Sequence, residues 1–380
     1  MALRRVLIVN WRDIRNSKSG GAEEHIWNVF GAKSHPGCSV TLLSSGFRGA
    51  RPEEVIDGIR VVRVGSDYTF PLFVPRYIQK LVRTHDPDLV LEVINKIPVM
   101  TPLWTSVPVA GFVHHLFGDA ASFELPMPIA WTIRAGEALI PSVYGQCRIL
   151  TGSESTRTEL VEMGLFQERV HLTSYGVNTN AYSPGQKSSN PSLIYVGRLK
   201  RYKGIDFIIK LMPRLRKRYP ELVLDIAGDG DARPYLEQLM QSLGLTHCVR
   251  FHGYVDEAAK RQMYQSGWAM CHLSRKEGFG LTIPEAALCS TPTIGFDVPG
   301  LCDSVKNGET GLLVPYGDIA ALEAAVCKVL DDMVLRRRLG EAAKRHYRDF
   351  TWSAATDHTW RLLEEVAGSA VPSPSKVASL

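Results

Sequence analysis

Residues 276–286 read KEGFGLTIPEA, with Glu277 and Glu285 at the two ends of a turn that holds Gly278, Phe279, Gly280 and Leu281. The apolar run WAMCHLS comes before it and the helix-prone run PEAALCS after it, so the turn leaves a strand and opens a helix. Backbone N–H groups at Phe279, Gly280 and Leu281 could then point at a phosphate. A carboxylate beside a phosphate is repelled, so both glutamates need other partners. Sugar hydroxyls are neutral donors that suit a carboxylate. One acid on a ribose and one on a second sugar would fit a nucleotide sugar. A plainer reading stays open: Thr282-x-x-Glu285 fits a capping box, Pro284 suits a first helical turn, and Glu277 is a solvated loop acid.

Three further stretches carry chemistry. VGRLKRYKG (196–204) sets Arg198 and Lys203 near a helix start, with Gly204 permitting close packing. That is either a phosphate site or a solvated basic loop. NSKSGGAEE (16–24) puts Gly20 and Gly21 before a helix, where glycine lets backbone approach a ligand or merely serves a loop. GFVHHLFGD (111–119) ends a strand in His114 and His115, which could bind a ligand and move a proton or donate to a core carbonyl.

The elements that must position these residues alternate between strand and helix. RRVLIVNW (4–11), SVTLLS (39–44), IRVVRVG (59–65), PDLVLEVI (87–94) and VPVAGFVHH (107–115) read as strands of one α/β domain. SLIYVGRL (192–199), LVLDIAGDG (222–230), VRFHGYV (249–255), WAMCHLS (268–274) and TPTIGFDV (291–298) begin the pattern again. A chain of 380 residues exceeds what one core usually supports. The expected organisation is therefore two Rossmann-like α/β/α domains: residues 1–184, and 185–349 beyond a Pro/Ser/Asn-rich join. A helix at about 350–368 and a disordered tail over 369–380 complete it. Ligands in such sheets sit at the carboxyl ends of the strands, where all four stretches fall.

Composition narrows the function. A net charge of +5, without clustered Lys and Arg, argues against nucleic acid as a partner. Seven scattered cysteines with no CxxC pair indicate neither a disulfide framework nor a zinc site. The apolar run in MALRRVLIVNW is too short for a signal peptide, and no run reaches the ~18 apolar residues of a membrane span. A cytoplasmic location is expected, with the inner face of the cytoplasmic membrane as the variant. FELPMPIAWTI (123–133) could rest on a membrane surface, line an acceptor site, or pack as an ordinary helix. No G-x-G-x-x-G follows the first strand, which argues against an NAD-dependent dehydrogenase.

In order along the chain, these pieces resemble the retaining glycosyltransferases of family 4, which have the GT-B fold. The family's E-x7-E element matches Glu277 to Glu285, and its G-R-x-x-x-x-K-G element matches Gly197, Arg198, Lys203 and Gly204. Its Gly-Gly loop matches Gly20 and Gly21, and its "vHd" element resembles Val113-His114. SES-x-x-x-x-x-L from Ser153, YGVN (175–178), GDG (228–230) and NGETGLLVP (307–315) resemble further segments, from about residue 4 to about 365. Departures are His115 where aspartate is frequent, Asn178 for the usual aspartate, and SHPGCS (34–39) for a Gly-His turn.

The resemblance implies that Arg198 and Lys203 bind the diphosphate, Glu285 the ribose, and Glu277 the donor sugar. It implies that His114 lies near the reacting centre, that Gly20 and Gly21 approach the donor phosphates or the acceptor, and that no metal or cofactor is needed. It also implies a C-terminal helix crossing back onto the first domain. The donor expected on this basis is a UDP-sugar, glucose or a related hexose, transferred to a glycan or lipid-linked acceptor in polysaccharide biosynthesis. An inert nucleotide-sugar-binding protein and a GT-B epimerase or phosphorylase are the alternatives.

Overall fold

The computed structural model of the chain describes residues 2–31, 34–95, 97–118 and 126–368. The tail expected to be disordered, 369–380, lies outside them, as do residues 123–125 of the apolar stretch. The first sheet is built from β1 (Arg5–Val9), β2 (Ser39–Ser45), β3 (Glu53–Ile56), β4 (Ile59–Val64), β5 (Leu89–Ile94), β6 (Val109–Val113), β7 (Arg148–Thr151) and β8 (Val170–Leu172). Its order is β3-β4-β2-β1-β5-β6-β7-β8, parallel throughout except for the β3/β4 hairpin. The second sheet holds β9 (Ser192–Val196), β10 (Val223–Ala227), β11 (Val249–Gly253), β12 (Ala269–His272), β13 (Thr293–Asp297) and β14 (Gly311–Pro315). Its order is β11-β10-β9-β12-β13-β14, all parallel. Two α/β/α domains face across a cleft, which is the GT-B arrangement.

Central parallel strands must be apolar on both faces, because helices cover both. Strands β5, β6 and β9 accordingly bury every residue. The strands that periodicity missed are short or half-exposed. β3 is an edge strand with a single buried residue, joined to β4 through Asp57 (φ 47°) and Gly58 (φ 83°). An Asp-Gly pair between strands is the usual signal for such a hairpin, and it stands in EEVIDGIRVV.

The chain crosses between the domains twice, and the crossings are hydrogen-bonded. The Val177 N–H donates to the Phe350 carbonyl at 2.8 Å, and Val177 bridges Thr351. Gly176 is required there, since an added Cβ would lie 2.5 Å from the Trp352 Cα. The helix Trp352–Gly368 then lies on the first domain. Trp360, Leu362 and Leu363 join the core of Val6, Ile8, Ile26 and Phe30, and the Trp360 indole donates to the Val29 carbonyl at 2.9 Å. No helix among the described residues is long and apolar enough to cross a membrane.

Because Trp360 anchors the last helix to Val29, 331 residues earlier in the chain, it should behave as a core residue. Trp360→Ala is expected to cost about 3–5 kcal/mol in urea unfolding. A loss below about 1 kcal/mol would mean the helix is only loosely held.

Candidate donor-binding site

The loops after β9 and β12 meet at one corner of the cleft. Lys203 ends a single 3-10 turn, Arg201–Lys203, and Gly204 follows with φ 66°. Only glycine suits that position, because a Cβ would stand 2.1 Å from the Leu273 carbonyl oxygen. The Lys203 ammonium is thereby directed inward onto Glu277. One carboxylate oxygen of Glu277 accepts from Lys203 Nζ, from His272 Nε2 at 3.0 Å and from Ser274 Oγ at 2.6 Å. Burial alone would raise the Glu277 pKa, yet Lys203 and the His272 hydrogen bond outweigh it and hold the carboxyl well below the usual range. Lys203 is the mirror case: burial works against its charge, and Glu277 raises its pKa above the ordinary lysine value.

Arg198 contrasts with Lys203. It is exposed, and among the described residues its guanidinium has no hydrogen-bond or ion-pair partner. It faces Gly20 of the first domain, where an added Cβ would lie 3.3 Å from the guanidinium carbon, and an added Cβ on Gly21 would lie 3.4 Å from Leu281. The backbone N–H groups of Phe279, Gly280 and Leu281 donate to no described residue. A cation and backbone amides without described partners therefore lie against the same Gly20–Gly21 loop.

The capping box does not form. The helix runs Thr282–Leu288 with Leu281 at the N-cap, so Thr282 is already its first residue, and the Thr282 hydroxyl is buried without a partner. Glu285 instead accepts from Lys260 Nζ at 3.0 Å and Tyr264 Oη at 2.7 Å. Burial raises its pKa, and Lys260 pulls it back. Glu24 of the first domain approaches the same group. Its carboxyl is pushed up to about 7, first by desolvation and then by Glu285, although its own surface is exposed.

His114 directly follows β6 and is buried among His25, Phe112 and Tyr175. Its Nδ1 shares a 2.9 Å hydrogen bond with the Tyr175 hydroxyl, while Nε2 is buried without a partner. Burial, then His25 and His115, lower its pKa, so it is a neutral imidazole at pH 7. Burial pushes His115 down to about 4, against the pull of Glu277, and Lys276, Lys203 and Arg198 also reach it. Gly278 lies against this strand end, where a Cβ would stand 2.8 Å from the His114 carbonyl oxygen.

Thus the fold gathers Gly20, Gly21, Arg198, Lys203, Glu277, Gly278, Phe279, Gly280, Leu281 and His114 around one corner, with Glu285 in a network of its own. Sequence reasoning missed the residues that hold them. His272 and Ser274 were read only as strand, and Lys260 and Tyr264 carry no signal beyond lying one helical turn apart. The inter-domain fastenings also went unread: Lys276 Nζ to Glu159 at 2.7 Å, and Asp303 accepting from the amides of Glu154 and Ser155 at 3.0 and 3.1 Å. Among the described residues no group of three or more His, Cys, Asp or Glu side chains could hold a metal ion.

Comparison with known proteins falls on the same two halves. Residues 19–181 match the family model described as Glycosyltransferase Family 4, and residues 179–346 match Glycosyl transferases group 1. A glycogen synthase of Mycobacterium tuberculosis is 27% identical over 414 aligned positions, covering 97% of each chain. The sucrose-phosphate synthase of Thermosynechococcus elongatus superposes with a TM-score of 0.83 at 20% identity, over 96% of this chain and 100% of that one. The Anabaena protein HepE, solved with UDP-glucose, superposes with a TM-score of 0.76 at 17% identity, over 95% and 99%.

Removing one partner of a buried pair strands the other charge. Glu277→Gln should therefore destabilise the chain at pH 7 by about 3–5 kcal/mol, and Glu277→Gln with Lys203→Met by clearly less. The sign with pH follows from the directions. Glu277 is depressed, so its contribution is full above about pH 4.5 and is lost as the pH falls through the folded value. Lys203 is raised, so its contribution weakens only above about pH 10.5. Urea midpoints at several pH values check both, and a double variant as unstable as the single one would refute the pairing.

Proposed function

The chain belongs to the GT-B glycosyltransferases of family 4, the group 1 glycosyl transferases, which move a sugar from a nucleotide-sugar donor; on that premise we propose a retaining hexosyltransferase that takes glucose from UDP-glucose. The acceptor is a hydroxyl of a glycan or lipid-linked glycan in polysaccharide biosynthesis, on the cytoplasmic side of the membrane. One observation carries this reading: among the described residues the Arg198 guanidinium and the amides at 279–281 have no partner, and Arg198 and Leu281 meet the same Gly20–Gly21 loop from the carboxyl ends of β9 and β12. A diphosphate supplies the missing charge and acceptors at once. UDP-glucose is supported by the likeness to HepE, solved with that ligand, and glucose by the glycogen synthase relative.

In this reading Arg198 and Lys203 stabilise the leaving diphosphate, so the reaction needs no metal. Glu285, held by Lys260 and Tyr264, presents its carboxylate to the ribose hydroxyls. Glu277 has one oxygen engaged by Lys203, His272 and Ser274, and the other accepts from a hydroxyl of the donor sugar. His114 is neutral and has a free Nε2, so it offers a hydrogen bond at the reacting centre rather than a charge. The anomeric carbon loses its bond to the phosphate oxygen and gains one to the acceptor oxygen on the same face. The acceptor proton passes to the departing phosphate, so no protein nucleophile is required. Met127, Ile129 and Trp131, exposed on the helix Met127–Ala138, support a peripheral contact with the membrane.

A thermal-shift panel of UDP, GDP, ADP and their glucose conjugates in EDTA tests the donor. A ligand at one hundred times its dissociation constant adds about 2.7 kcal/mol. UDP and UDP-glucose should shift the transition and the others should not; no shift with any of them would sink the assignment. In His114→Ala, turnover should fall while UDP-glucose still binds. A covalent sugar adduct trapped on Glu277 would overturn the same-face mechanism. Absence of binding to anionic liposomes at low salt would remove the membrane contact.

A further inference from the structure

Strands β1, β2 and β4 run parallel, so the loops that leave β2 and β4 open on the same sheet edge as the Gly20–Gly21 loop. Between those two loops lies a cavity of about 330 Å³, lined in part by Phe47, Arg48, Arg51, Arg63 and Ser66 and by no carboxylate. That volume is in the range of ligand sites.

Arg63 is the strut of this cavity rather than its charge. Its side chain is 1% exposed, and its Nε and Nη2 donate to Asp13 at 2.7 and 2.9 Å. Its Nη1 donates to Glu54 at 2.5 Å and to the Arg51 carbonyl at 2.9 Å, and its guanidinium lies 5.1 Å from the Phe47 ring centre. A neutralised buried cation thus fixes the loop that carries Arg48 and Arg51. Those two arginines are exposed, and among the described residues neither guanidinium has a hydrogen-bond or ion-pair partner. The neighbouring acids are already engaged, Glu54 by Arg15 and Arg63, and Asp67 by Arg12, Lys18 and Ser45. The lining therefore carries an uncompensated positive charge on a rigid base.

The cavity is also coupled to the donor corner. Asp67, next to the lining residue Ser66, accepts from Arg12 at 2.8 Å, and Asn10 Nδ2 donates to the Arg12 carbonyl at 2.7 Å and to Glu23 at 3.3 Å. Glu23 accepts from the Gly20 amide at 2.7 Å, and Gly20 faces Arg198.

We propose that this cavity is the acceptor subsite and that the acceptor carries an anionic group, a phosphate or a carboxylate on its sugar, held by Arg48 and Arg51. The assignment of the acceptor rests on the transferase reading above; the anion site itself does not. Two arginines present paired N–H donors that match either group and that neutral sugars cannot use in the same way.

The test is calorimetric titration of the full chain, with and without saturating UDP, using glucose, glucose 6-phosphate and glucuronate as probes. At least one anionic sugar should bind on the order of tenfold or more tightly than glucose. The Arg48→Ala/Arg51→Ala variant should lose that preference, and its melting temperature should match that of the parent chain. Which of the two anions wins identifies the group as phosphate or carboxylate. Equal binding of glucose and both anions, or a preference that survives in the variant, overturns the proposal. If UDP fails to bind while an anionic sugar still binds through the arginines, the donor reading falls and the anion site stands.

Discussion

A buried ion pair, Lys203 with Glu277, joins the loop after β9 to the loop after β12, and the donor corner is arranged around it. The pair is made possible by backbone geometry. Gly204 turns left-handed directly after Lys203, and Gly300, with φ 83°, passes so near that a Cβ would lie 2.2 Å from the Glu277 carbonyl oxygen. Desolvation costs both charges, so the pair adds little net stability over an apolar replacement. What it supplies is direction. His272 and Ser274 bond the same carboxylate oxygen, which leaves the group charged, oriented and unable to rotate freely.

Around that pair the two domains approach closely enough that side chains would intrude. Gly20 meets Arg198, Gly278 meets the end of β6, and Gly21 meets Leu281. The glycines are thus permissive for a narrow cleft, while polar fastenings keep it narrow. Asp303 accepts amides at the start of the helix Glu154–Glu162, where a negative charge is favoured, and Lys276 pairs with Glu159 on the same helix. The crossing at Val177 and Phe350 and the helix Trp352–Gly368 bind the chain's end to its beginning. The relative placement of the domains is therefore written into contacts far apart in sequence.

The sites differ in how their charge is managed. Among the described residues, Lys203 is paired at the donor corner while the Arg198 guanidinium has no partner; at the edge of β2 and β4, Arg63 is neutralised while the guanidinium groups of Arg48 and Arg51 have none. In both places a compensated buried cation fixes the loop, and exposed cations without a described partner stand beside it. The histidines follow a different rule. Burial lowers the pKa of His114 and His25, so both imidazoles are neutral at pH 7.

By itself the sequence determined the two sheets, most of their strands and the strand-end loops that meet at the candidate site. It could do so because a strand covered on both faces must be an unbroken apolar run, and because the glycines, Arg198, Lys203 and the two glutamates lie in short segments at strand ends. The edge strand β3 and the short β7, β8 and β14 escaped, since their apolar runs are brief or one-sided. Which partner each charged residue takes was decided only by the tertiary structure. Thr282 and Glu285 satisfy a capping pattern as letters, yet Lys260 and Tyr264, brought in by a separate helix, claim the carboxylate. Glu277 and Lys203 are both legible as site residues, but their pairing needs two loops to be superposed across β9 and β12. Local sequence sets backbone conformation and burial; distance between charges from distant segments exists only once the chain has folded.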